Sequence, residues 1–238
     1  MSRWQAVVFD LDDTLFAERD YVLSGFQAVA AWAETHLHIP CGQGFAELTN
    51  LFEEGVRGVT FDRWLAMHNL SAPALTARLV QVYREHEPAL APFAGIPELL
   101  DRLRRRCRVG LLSDGYLSVQ QAKLRSLGLE ACFDAVVFSD TWGRAAWKPS
   151  TTPFAAVLRA LGTEASQAVY VGDNPVKDFL GARRNGLSGI RLRHTVGEHA
   201  HLDPPTAEHA PGFTVLSLTG LERLLTEPTD SICRKEPS

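Results

Sequence analysis

Residues Ala6-Val7-Val8-Phe9 run straight into Asp10, and Asp12 and Asp13 follow at once. A continuous apolar run of this kind reads as a strand buried on both faces, the environment of a parallel sheet. In open α/β sheets, ligands bind beyond the carboxyl ends of the strands. Carboxylates crowded at such an end repel one another unless a cation or a shared proton compensates. A polar turn after a strand is the plain alternative. Acids this dense favour a metal or acid/base site.

The rest of the chain falls into two regimes. From residue 17 to 90 the apolar residues recur at helical spacing, around Tyr21–Trp32, Phe45–Phe52, Phe61–Met67 and Leu75–Val82, with Gly, Asn and Pro between them. That reads as four helices and no strand. Pro88, Pro92 and Pro97 punctuate the return, and Ile96–Leu103 opens another amphipathic helix. Short apolar runs then alternate with helices. Strands are expected at Val109–Ser113, Phe133–Phe138, Ala168–Gly172, Ser188–Leu192 and Phe213–Leu216. Helices are expected at Val119–Leu127, Pro153–Leu161, Asp178–Asn185 and Leu221–Leu225. This alternation predicts an α/β fold, a three-layer doubly wound parallel sheet. Its core comprises residues 1–16 and 91–238, and an all-helical block, residues 17–90, is inserted after the first strand.

Composition removes several classes. At 238 residues, 45% hydrophobic and 22% charged, the chain can build a substantial core. A formal net charge of −4 offers no basic footprint for a nucleic-acid polymer or an anionic membrane. No apolar segment reaches the ~18 residues of a membrane span. The first strand begins too early to leave room for a signal peptide. Cys41, Cys107, Cys132 and Cys233 lack any short pair spacing, so reduced thiols and a cytoplasmic location are expected. His194, His199, His201 and His209 lie among prolines in residues 193–212, which reads as a solvated loop. The last dozen residues read as a frayed polar tail.

Three further stretches carry suspicious residues: Ser113-Asp114-Gly115 after the second strand, Trp147-Lys148-Pro149-Ser150 before a helix, and Gly172-Asp173-Asn174-Pro175-Val176-Lys177-Asp178 after the fourth strand. Each alone is an ordinary turn or a solvated charge. Together they bring a hydroxyl, a cation and two more acids to the sheet edge that carries Asp10. In this order the chain resembles the haloacid dehalogenase superfamily, in its phosphatase branch with a helical C1-type cap (subfamily I). Asp10-Leu11-Asp12-Asp13-Thr14 matches the first motif of that family, Ser113 the second, Lys148 the third, and Gly172-Asp173 with Asp178 the fourth. The family often has Asn after the second-motif Ser, where this chain has Asp114.

The resemblance implies an Mg²⁺-dependent phosphatase acting on a small soluble phosphomonoester, either a sugar phosphate, a nucleotide or a phosphorylated acid. Asp10 and Asp173 would give the metal carboxylate oxygens and Asp12 its main-chain carbonyl. Asp178 would hold a metal-bound water or orient Lys148. Mg²⁺ prefers octahedral oxygen ligands, which suits this set. Asp10 would attack phosphorus and form an aspartyl-phosphate. Asp12 would protonate the leaving oxygen and then deprotonate water, and a raised pKa would suit that double role. The Ser113 hydroxyl, the Lys148 ammonium and the N–H groups of Leu11, Asp12 and Asp114 would bind phosphoryl oxygens.

Dehalogenases of the superfamily expel halide, need no proton and lack an acid at the Asp12 position, so this chain sides with phosphoryl transfer. A phosphomutase shares all four motifs and remains an alternative, as does a non-catalytic phosphate-binding regulatory module on the same fold. In the cap, Arg19, Asp20, Tyr21, Arg57, Arg63, Trp64 and His68 are candidates to face substrate. Ordinary helix-start charges account for the first three equally well, and packing is the better account of Trp64 and Trp32. The motifs leave monomer and homodimer equally open.

Overall fold

The structure is a computed structural model that describes residues 4–195 and 197–226. Its centre is a six-stranded parallel sheet in the order β3-β2-β1-β4-β5-β6. The strands are β1 (Ala6–Phe9), β2 (Arg108–Ser113), β3 (Ala135–Phe138), β4 (Ala168–Gly172), β5 (Ser188–Leu192) and β6 (Phe213–Val215). β1 pairs with β2 on one side and β4 on the other, Phe9 lying opposite both Leu111 and Val171. Every β1 residue is buried, as a strand flanked by strands and covered on both faces must be. The strand order reverses at β1, so the crevice beside its carboxyl end is the place where such sheets bind ligands.

Helix α1 spans Glu18–Leu37, α2 Cys41–Glu53, α3 Thr60–Met67, α4 Pro73–Glu85, α5 Ile96–Arg104 and α6 Leu117–Ser126. Further along come α7 (Thr152–Leu161), α8 (Asp178–Arg184) and α9 (Leu218–Thr226). Phe154, Val157 and Leu161 of α7 and Phe179 and Ala182 of α8 pack on Ala6, Val8, Leu112 and Tyr170, which share one face of the sheet. Ile96, Leu99, Leu100 and Leu103 give α5 a fully buried stripe at i, i+3, i+4, i+7. Pro97 at its first turn and the left-handed Gly95 just before it set where that helix starts.

The chain divides into two compact units, one ending at Glu18 and resuming at Ala91, the other Arg19–Leu90. The second unit is all helical. Its core gathers Phe26, Val29, Leu48, Phe61, Trp64, Leu65 and Leu79, and the Phe26 ring meets Phe52 and Phe61 edge-on. Several cap candidates turn out to serve this packing. Tyr21 is buried against Tyr83 and His86. The Trp64 indole N–H donates to Glu47 Oε2 at 2.8 Å, and His68 Nε2 reaches the same oxygen at 2.7 Å. Arg57 lies over the Phe52 ring and donates to the Phe52 and Val56 carbonyls. Arg19 pairs with Glu53. A buried aromatic with one polar atom needs a partner for that atom, and Glu47 meets the need for two rings at once.

The histidine-bearing loop is irregular and largely exposed, as expected, with Ala200 alone among its described residues buried. Its backbone is tied down: Arg191, buried in β5, donates to the carbonyls of His199 and Leu202, and the Glu198 N–H donates to Asp13. His194 packs on Phe93 with ring centroids 4.1 Å apart, and burial lowers its pKa. Cys41, Cys107 and Cys132 carry free thiols, and burial pushes Cys107 up to about 11. Cys233 and the polar tail lie outside the described residues.

Candidate active site

β1, β2 and β4 end side by side, and each delivers a candidate residue to the same edge. Asp10 follows β1 and donates its backbone N–H to Val171 in β4 at 2.8 Å, which locks it to the neighbouring strand. Ser113 closes β2, and Asp173 follows β4. Lys148 enters from the loop before α7. Its ammonium donates to Tyr170 Oη at 2.7 Å and to Asp178 Oδ1 at 2.8 Å, and pairs with Asp10 Oδ1 at 2.8 Å. An ammonium has three protons, so these three partners use all of them. An incoming phosphoryl oxygen therefore has to displace a partner, a condition that the expected role of Lys148 did not include.

The carboxylates are short of compensation. Asp10, Asp173 and Asp178 are all buried, with ligand oxygens within 4.8 Å of one another. Asp10 Oδ2 and Asp173 Oδ2 have no hydrogen-bond partner among the described residues. Burial raises the Asp10 pKa to about 6, Lys148 opposes that rise, and the Asp178 charge adds to it. Asp173 is pushed well above the carboxylate range by burial and then by the charges of Asp178 and Asp10. Two buried acceptor-only oxygens with no donor, set among like charges, fit a hard divalent cation such as Mg²⁺. Asp178 is differently placed, because Oδ1 accepts from Lys148 and Oδ2 from the Asn174 N–H at 2.9 Å. Both of its oxygens are therefore engaged in holding the site together.

That packing explains Gly172. A Cβ there would lie 2.5 Å from Asp178 Oδ2 and 3.0 Å from Tyr170 Cε1. Gly172→Ala is expected to cost about 2–3 kcal/mol in thermal unfolding and to displace the carboxylate that orients Lys148. Unchanged stability would show that Asp178 does not need that space.

Asp114 turns to a structural task. Its Oδ1 accepts from Ser139 Oγ at 2.6 Å, and its two oxygens receive the Lys148 N–H at 3.1 and 3.0 Å. All these partners are donors, so a carboxylate suits the position better than an amide would. Asp13 adopts φ +50° and receives the N–H of Glu18 on Oδ1 at 2.9 Å and that of Glu198 on Oδ2 at 2.8 Å. It caps α1, which therefore starts three residues before the apolar periodicity suggests.

Asp12 departs from expectation. Burial works against its charged form, but the Lys123 ammonium and the Gln120 amide outweigh it, so its pKa is lowered rather than raised. Lys123 Nζ lies 2.6 Å from Oδ1, and Gln120 Nε2 donates to Oδ2 at 2.7 Å and to Ser113 Oγ at 2.6 Å. Sequence reasoning missed both partners. A signal was available, because Gln120 and Lys123 occupy the buried stripe of α6 with Leu124, where apolar residues belong. Arg191 was missed too, and its Nε donates to the Asp173 carbonyl at 3.0 Å, steadying that loop.

The model of one family, haloacid dehalogenase-like hydrolase, matches residues 4–186, which include Asp10, Asp12, Ser113, Lys148, Asp173 and Asp178. The chain belongs to the haloacid dehalogenase-like hydrolase family. Curated relatives of this hydrolase include the glyceraldehyde 3-phosphate phosphatase of Methanopyrus kandleri, 30% identical over 89% of this chain and 92% of that protein. The pyrimidine 5′-nucleotidase of Escherichia coli is 28% identical over 94% of this chain and 98% of that protein. Among solved structures, a HAD-hydrolase of Bacillus subtilis bound to magnesium shares the fold, with a TM-score of 0.66 at 20% identity over 94% of this chain and 99% of that one. No helix among the described residues is long and apolar enough to cross a membrane.

Proposed function

We propose that this hydrolase is a phosphatase that uses Mg²⁺ to hydrolyse a small phosphomonoester through an aspartyl-phosphate on Asp10. One observation carries the reading: Asp10 Oδ2 and Asp173 Oδ2 are buried without a donor in one acidic cluster, two residues from a further carboxylate, Asp12. Asp10, Asp173 and the main-chain carbonyl of Asp12 would hold the cation. Bound there, the cation supplies the positive charge that lets a phosphomonoester dianion approach a carboxylate.

The chain's own groups then divide the work. Lys148 keeps Asp10 ionised and aimed, because it holds Oδ1 and leaves the other oxygen free. That carboxylate forms a bond to phosphorus as the ester oxygen leaves, and Asp12 gives the leaving oxygen its proton. In the second half Asp12 takes a proton from water, which attacks phosphorus and returns Asp10 as a carboxylate with inorganic phosphate. Lys123 and Gln120 favour the ionised form of Asp12, the form that this half needs, while the first half draws on its protonated form. The relatives named above act on phosphate esters, which supports the same choice. The helical unit Arg19–Leu90, inserted after β1, is proposed as the cap that selects the substrate.

A phosphate-release panel of sugar phosphates, nucleotides and phosphorylated acids tests the reading. Release is expected from several phosphomonoesters with Mg²⁺ and from none after chelation. Conversion of a hexose 1-phosphate into its 6-phosphate without free phosphate would instead identify a mutase. An inert protein across the whole panel would identify a binding module.

A further inference from the structure

Asp12 is gripped from a helix that starts more than a hundred residues further along the chain. Lys123 Nζ meets Oδ1 at 2.6 Å and Gln120 Nε2 meets Oδ2 at 2.7 Å, so neither carboxylate oxygen is left to choose its own direction. Both partners are almost fully buried, at 3% and 1% exposed. Burying an ammonium and an amide on the inner face of a helix is unfavourable unless each finds a partner. Leu or Met would serve packing alone. The Gln120 amide also reaches Ser113 Oγ at 2.6 Å, so one side chain sets the spacing between the Asp12 carboxyl and the β2 hydroxyl. Glu18 stands beside the pair, 3.9 Å from Lys123 Nζ.

We propose that Gln120 and Lys123 are positioning residues that clamp the Asp12 carboxyl at the place from which it serves the ester oxygen. The inference rests on the phosphatase reading above. Neither residue needs to touch substrate. Removing one frees a carboxylate oxygen, the Asp12 side chain can rotate, and proton delivery becomes erratic while Asp10 and Lys148 stay as they are.

Leaving-group dependence separates this role from a merely structural one. A nitrophenolate leaves with little help from an acid, whereas an alkoxide needs its proton. The experiment compares kcat/KM, which reports the steps up to the acyl phosphate, for p-nitrophenyl phosphate and for the alkyl phosphomonoester that wild type turns over fastest in the panel. Lys123→Met is expected to lose about 100-fold on the alkyl ester and less than about 5-fold on p-nitrophenyl phosphate. The ratio of the two is independent of how much protein is folded. Lys123→Arg, which can still pair with Asp12, should recover most of the alkyl activity. Gln120→Leu repeats the test through the other oxygen should Lys123→Met not fold. Its loss of the Ser113 contact weakens both esters alike, so the ratio still reports Asp12. Equal losses on both esters in these variants, with wild type active, would overturn the clamp and leave the phosphatase reading standing. A wild type inert toward both esters would overturn that reading and the clamp with it.

Discussion

Asp10→Asn is expected to lower kcat for p-nitrophenyl phosphate in Mg²⁺ by at least about 10⁴-fold, while the metal-free protein becomes more stable rather than less. The two effects share one cause. Asp10 sits buried among Asp173 and Asp178, and burial raises its pKa from 3.8 to about 6. An acid whose folded pKa is raised binds more protons folded than unfolded between those two values. Stability therefore falls as pH rises from about 4 to about 6, and above that range the full cost of about 2–3 kcal/mol is present. Asparagine is nearly isosteric, keeps an oxygen for Lys148 and removes the charge, so that cost disappears. Metal-free melting curves at pH 5 and pH 7.5 read the effect directly: the variant's gain over wild type should be larger at pH 7.5. A variant less stable than wild type at pH 7.5 would mean that the Lys148 pair outweighs the burial of its partner.

Lys148→Met is expected to produce the opposite pattern, losing both activity and stability. Among the described residues, Lys148 is the one cation that pairs with Asp10 and Asp178 together, each at 2.8 Å. Removing one partner of a buried charge pair costs about 3–5 kcal/mol, because the remaining charges have no water to turn to. For a chain of this size that is a fall of roughly 6–20 °C in Tm. The Tyr170 hydroxyl and the Asp178 carboxylate would then sit opposite a thioether, and Asp10 would be harder to keep ionised. Turnover should fall by about 10³-fold or more, chiefly in kcat, since the lost interaction strengthens as charge develops on the transferring group. Restored stability in the double variant Lys148→Met, Asp178→Asn, with activity still absent, would apportion the two effects. A single variant with normal Tm would show that the triad of partners is not the source of the stability.

The parts of this protein legible in its sequence are those set by local burial. β1, β4 and β5 are buried runs between strands, so their hydrophobicity announced them. β3 begins later than Phe133 because Asp134 uses its side chain as well as its backbone, accepting the Val109 N–H at 2.8 Å. The helices of the Arg19–Leu90 unit followed the 3.6 period. Asp10 and Asp173 were legible because each lies just beyond a strand. Contacts between residues far apart in the chain were not. Nothing near Asp12 foretells Lys123, and nothing in the fourth strand foretells that Tyr170 would receive a lysine proton. The direction of the Asp12 pKa turned on just such a contact. The anchoring of the loop after β5 was hidden for the same reason, since Arg191 reaches out of a strand to hold it.

The most direct measurement is to quench the enzyme in acid during turnover of its fastest ester with Mg²⁺ and locate the trapped phosphoryl group by peptide mass spectrometry. One phosphorylated peptide is expected, carried on Asp10 and absent from Asp10→Asn. A phosphoryl group on any other side chain, or hydrolysis that continues in Asp10→Asn, would contradict it.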